Sequence, residues 1–486
     1  MSAIDWLSDT VAPARVAAPP PEAPAKGSPI ETISTSVLSA TNSDAAGVLP
    51  VSITGLPRGL WAASPMAELN ALLLAERLEP LPALRDLFQL LLLAELDPPA
   101  DADGSGRFLL ARIDKLLELG ALDAADALID VAGPLTPDLF RRAFDTALLI
   151  GTEDAACNEL RRAPGIAPTF PARVFCLARG GDWQAASLTF DTARALGQIS
   201  PEDQALLERF LDPALFEDDA PLPTPQRPTP LTLRMFEAVG EPLSPNGLPL
   251  AFAHAELSPA TGWKARLEAG ERLARVGAIA PSQMFALYTE RKAAASGGVW
   301  TRVDAVQRFD AALIAADPQA VAAALPAAWA AMQDIELEVP FAEAYSEQLL
   351  ALALTADAAE LAWHIALLSP QYEEAALAHA PTTLQDQFLH GIARGNLAGL
   401  VAPDSMARAI APAFAPAPAA LPADLERMLT EQRLGEAMLH AMDRVAYGAT
   451  GDLRGVTEGL ALLRRLGLED VARRAALQLM ILERRG

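Results

Sequence analysis

The stretch CLARGGDWQAASLTFDTARALG, residues 176–197, decides how the rest of the chain is read. Two helical runs flank a Gly180-Gly181-Asp182 break, and the second carries Ala186, Phe190 and Ala193 at helical spacing. The same grammar recurs on either side. LLELG ends at Gly120, which suits the left-handed residue that follows a helix. Asp123 stands where it can cap the next helix, whose Ala125, Leu128, Ile129 and Ala132 share one face. TPDLFRRAFDTALLIG places Thr136 as a cap and Pro137 at the first helical position, where a missing N–H costs little. PMAELNALLLAERL and LPALRDLFQLLLLAEL read as two more helices, with Pro65 and Pro82 near their starts.

Composition agrees with helices throughout. Hydrophobic residues make up 51% of 486 residues while aromatics are only 6%, so Ala and Leu, both strong helix formers, must fill the core. The formal net charge of −24 repels a phosphate backbone, so nucleic-acid binding is not expected. Arg464, Arg465, Arg473 and Arg474 near the C-terminus are interleaved with Glu469 and Asp470 and read as a solvated helical face. The closest candidate for a membrane span, AVAAALPAAWAAM (320–332), is too short and is interrupted by Pro326. Cys157 and Cys176, the only cysteines, read as small core residues in a reduced, cytoplasmic protein.

The residues Gly181, Asp182, Trp183, Ala186, Phe190 and Ala193 form G-D-W-x-x-A-x-x-x-F-x-x-A, which resembles the second-helix half of a tetratricopeptide repeat. The resemblance covers about one half-repeat, and Val174 stands where the first helix of that family has a small residue. As a whole the chain also looks like bacterial helical-repeat proteins. What these resemblances imply is an all-α, right-handed solenoid of stacked helical hairpins, whose groove would hold a protein or peptide.

Four divisions follow. Residues 1–62 read as a disordered Pro/Ala/Ser-rich arm. Its tip clusters Ile4, Trp6 and Leu7, which look like a docking peptide for a partner or for the protein's own groove. Residues 63–211 form a first helical segment, and 212–250 a Pro-rich crossover whose Leu231, Leu233, Met235, Phe236 and Leu250 are too apolar for a free linker. Residues 251–486 form a second helical segment, with a hinge or surface loop at 411–422.

Recognisable chemistry is scarce. The five histidines (254, 364, 379, 390 and 440) never stand three or four apart, and no nucleophile elbow, phosphate loop or dinucleotide fingerprint occurs. No catalytic residue, metal ligand or cofactor is therefore assigned. DPPADADGSGRFLLARIDKLLELG (97–120) begins like a calcium loop, with Asp101, Asp103, Ser105 and Gly106 at positions one, three, five and six. Position twelve, where a bidentate carboxylate must close the shell, is Arg112. Asp103 or Ser105 then reads as the cap of a helix beginning near Arg107. The expectation is a non-enzymatic interaction scaffold or adaptor. The alternatives are an assembly factor or chaperone for an envelope or motility machine, and an enzyme with an unrecognised site.

Overall fold

The computed structural model describes residues 4, 6, 7, 42–76, 81–245, 247–293, 295–355, 357–416, 419–449 and 451–482. Over these residues the protein is all-helical, with 25 α-helices and five short 3-10 turns. The one extended feature among them is an isolated parallel bridge between Leu49 and Ala94. No helix among them is long and apolar enough to cross a membrane. The Pro318–Gln333 helix runs straight through Pro326, so this proline does not break it.

Local signals explain many of the boundaries. Thr136 Oγ1 accepts from Leu139 N at 3.3 Å and Pro137 opens the Pro137–Ile150 helix. Asp182 caps the Trp183–Ala195 helix by accepting from Ala185 N at 3.0 Å. Gly120 ends the Arg107–Glu118 helix at φ 71°. A side chain there would also press on Leu250, so glycine meets both a conformational and a space requirement. Asp123 is not a cap, because the next helix starts one residue ahead of it, at Leu122 with Ala121 as N-cap.

The arm expected over 1–62 is folded from residue 42 onward; residues 8–41 lie outside the described residues. Asp44, on the Ser43–Ala45 turn, is buried at the start of the Arg107–Glu118 helix. Its Oδ1 accepts from Phe108 N at 2.9 Å and Leu109 N at 3.1 Å, and its Oδ2 from Gly106 N at 3.3 Å. Asp44 therefore does the capping expected of Asp103 or Ser105. Asp103 instead accepts from Ser105 N and pairs with Arg107, while Asp101 accepts from Met66 N at 2.9 Å, at the start of the Met66–Ala75 helix. Arg112 is buried below the same corner and donates to Ala94 O at 3.1 Å and to Ala46 O. Burial pulls its guanidinium down to about 10, with Asp44 opposing that shift.

Helices from the first hundred residues pack against the last described helices. Ala83 N donates to Gln478 Oε1 at 2.9 Å, and Arg474 pairs with Asp86 at 2.8 Å. The indole of Trp61 occupies the space that a side chain at position 435 would need, so Gly435 admits this contact. Arg85 and Gln89 reach the carbonyls of Arg275 and Gly277. The Pro82–Leu93 helix thus lies among helices of the C-terminal half and covers surface that those helices would otherwise leave open. Of the arginines read as a solvated face, Arg465 is exposed and paired with Glu426, whereas Arg464, Arg473 and Arg474 are half-buried and paired with Glu469, Glu373 and Asp86. The hinge expected at 411–422 is packed at its start: Ala413 and Phe414 are buried, with the Arg464 guanidinium 4.7 Å from the Phe414 ring centre.

Two apolar cores result. The larger runs from Ile4 to Leu482. The smaller lies between Phe140 and Phe236, and includes Leu231, Met235 and Phe236 of the Pro230–Ala238 helix. Within it Cys157 and Cys176 are joined by a disulfide, contrary to the expectation of free core thiols. The Glu153–Arg162 and Phe170–Arg179 helices pack together and bring the two Cα atoms to 5.0 Å, inside the range that a disulfide spans.

Candidate peptide-binding site

Ile4, Trp6 and Leu7 are all buried, and they belong to the larger core. The Trp6 indole and the Phe252 ring meet edge to face, with ring centres 5.6 Å apart at 77°. Arg141, on the Pro137–Ile150 helix, donates from Nη2 to the Leu7 carbonyl at 3.1 Å. A hydrogen bond from Leu7 N to Ile4 O curls the tip into a turn. The tip is therefore seated on its own chain, with an aromatic anchor, two aliphatic side chains and one main-chain contact. Full burial of each such side chain is worth about 1.5–3 kcal/mol, set against the cost of ordering the segment.

The seat is built where the Pro-dense segment ends. Phe252 is fully buried in the Leu250–Phe252 turn, which leads into the Ala253–Glu256 helix. His254 on that helix shares a 2.7 Å hydrogen bond between Nε2 and Gly120 O, which ties the turn to the end of the Arg107–Glu118 helix. Burial pulls the His254 imidazole below its ordinary value, with the Gly120 carbonyl and Asp123 opposing the shift. Arg142, next to Arg141, points elsewhere and makes a buried pair with Asp114, with Nη2 at 2.8 Å from Oδ2. Adjacent arginines thus split into one that holds the helix array together and one that holds the tip.

Other groupings of titratable side chains serve packing. Glu271 accepts from Tyr288 at 2.6 Å and from Arg302 at 2.8 Å, joining three consecutive helices. Burial and the Glu271 carboxylate raise the Tyr288 phenol well above its usual range. Three of the five histidines gather in one region. His364 and His379 lie at 4.9 and 4.5 Å from the Trp363 ring, and His390 is near His379. His364 also pairs with Asp386 at 3.2 Å, and Asp386 is part of a capping box with Thr383. A cavity of about 340 Å³ beside the seat is lined by Asp123, His254, Ser258 and Arg234, among others, but His254 Nε2 is engaged by Gly120 O. Among the described residues no group of three His, Cys, Asp or Glu side chains is placed to hold a metal ion.

The apolar cluster at the tip is visible in the sequence, but Phe252 and Arg141 are not marked as its partners. Arg141 lies in a helix and Phe252 in a turn just past the Pro-dense segment, both more than 130 residues away in the chain. No family model, curated protein or solved structure matches this chain.

Proposed function

We propose that this protein is a non-enzymatic interaction scaffold, built on stacked tetratricopeptide-style hairpins, with a seat for a short apolar peptide at Phe252 and Arg141. Its own tip fills the seat in the resting chain. The observation that carries this reading is the burial of Ile4, Trp6 and Leu7 against Phe252, with the Leu7 carbonyl held by Arg141. Aromatic anchors combined with a main-chain hydrogen bond are how folded domains commonly read short linear segments. A partner carrying a similar segment would compete with the tip, and a partner that captures the tip would vacate the seat.

Affinity capture from native lysate with full-length wild type and with Trp6→Ala/Leu7→Ala tests this. The reading expects at least one partner to be enriched or lost when the seat is vacated. Identical partner sets would remove the tip from the mechanism, and no specific partner on either protein would sink the scaffold reading.

The Cys157–Cys176 disulfide favours one narrower reading, an assembly factor or chaperone working on an envelope machine. Disulfides persist in oxidising compartments and are rare in the cytosol. Thiol titration of the denatured protein, purified with free thiols blocked at lysis, separates the two: two free thiols would return the protein to the cytoplasm.

A further inference from the structure

Ile4, Trp6 and Leu7 keep only 8%, 7% and 4% of their surface exposed. Leu7 N donates to Ile4 O, so residues 4–7 close an i→i+3 turn. The buried side chains therefore stand at positions i, i+2 and i+3 of that turn. A helix laid in a groove buries i, i+3, i+4 and i+7, and a strand buries alternate positions. Neither pattern hides i, i+2 and i+3 together. The seat thus encloses a turn on more than one side instead of lining one face of a regular segment.

We propose that the seat selects its partner by this folded motif, aliphatic-x-Trp-aliphatic closed as an i→i+3 turn. The proposal rests on the reading that the seat accepts a segment in trans, and adds what that segment must be. Each element of the motif has its own contact. The tryptophan at i+2 meets Phe252 edge to face with ring centres 5.6 Å apart, a pairing that an aliphatic side chain cannot replace. The carbonyl at i+3 takes the Arg141 hydrogen bond at 3.1 Å, which fixes register without reading a side chain. The turn bond arranges the three side chains in advance, so less ordering cost is left to binding. The chain itself carries the motif once. Of its seven tryptophans, only Trp6 has Ile, Leu or Val both two places before it and one place after it. Trp61 stands between Gly59 and Ala62 at those places, and Trp363 between Leu361 and His364.

The test loads the full chain carrying Trp6→Ala/Leu7→Ala with a fluorescent MSAIDWLSDT peptide and follows its displacement by unlabelled peptides. Unlabelled MSAIDWLSDT should displace it completely. MSAIWDLSDT has the same composition with the tryptophan one place earlier, and should displace about tenfold less well. MSAIDLLSDT, with leucine for the tryptophan, should also be weaker by about tenfold. A peptide N-methylated at Leu7 keeps every side chain but cannot donate to the Ile4 carbonyl, and should be weaker by about threefold or more. Equal displacement by the shifted peptide overturns the proposal and leaves a seat that reads apolar content alone. Equal displacement by the leucine or the N-methylated peptide overturns the tryptophan or the turn as the selected feature. Failure of the labelled peptide to bind a variant with a native near-UV spectrum removes the seat itself, and the proposal with it. Should the double variant lose that spectrum, Ile4→Ala takes its place, with the same order of peptides expected.

Discussion

Reducing the Cys157–Cys176 bond should weaken the smaller core selectively. The bond closes a segment with a sequence separation of 19. The chain-entropy relation for a loop of that size gives about 3 kcal/mol of stabilisation at 25 °C. How that figure appears depends on cooperativity. If all 486 residues melt together, the unfolding entropy is so large that 3 kcal/mol moves the midpoint by only about 3 °C. If the smaller core, between Phe140 and Phe236, melts as its own unit, the same loss moves its midpoint by about 12 °C or more. Two separate cores favour the second outcome. Scanning calorimetry with and without a phosphine reductant should therefore show one transition shifting strongly and a second staying in place. Cys157→Ala/Cys176→Ala should reproduce the reduced trace and be indifferent to reductant. Both sulfurs are buried, so thiol titration must accompany the scan to show that reduction occurred. Complete reduction with no shifted transition, or a double variant as stable as the oxidised protein, would refute the reasoning.

Asp44→Ala removes three acceptor contacts and the counter-charge facing buried Arg112, and should cost about 3–5 kcal/mol in urea unfolding, whereas Asp44→Asn should cost less. Burial holds the His254 imidazole below its ordinary pKa in the fold. Its contribution is therefore fully present above pH 6.5 and is lost as pH falls below that value, so urea midpoints should drop between pH 7.5 and 5.5, with a shallower drop in His254→Gln. Calcium calorimetry on the 101–112 loop should show no tight binding. Asp101→Ala should instead cost about 1 kcal/mol with or without calcium, through loss of its bond to Met66 N.

The helical grammar was legible because its signals are local. Thr136 and Pro137 act within one turn, and Gly120 meets its conformational requirement in place. Signals that depend on distant chain were read only in part. Asp103 and Ser105 look like caps from the residues beside them, yet Asp44, 64 positions before Phe108, occupies the cap. Arg112 stands at position twelve of the loop, but nothing near it shows that it would be buried against two carbonyls. Cys157 and Cys176 pair only because two helices fold back on each other. The tip was legible as a cluster of three apolar side chains, but its seat was not, because Phe252 becomes a platform only after three stretches of chain converge on it.

The seat is tested most directly by a fluorescent peptide of residues 1–10, MSAIDWLSDT, titrated into full-length wild type and into Trp6→Ala/Leu7→Ala while anisotropy is followed. The vacated seat of the variant should bind the peptide saturably, the wild type should bind it far more weakly, and adding Arg141→Ala to the variant should reduce its affinity. Equal binding to both proteins, or no binding to a variant that keeps its native near-UV spectrum, would contradict a seat filled by the chain's own tip.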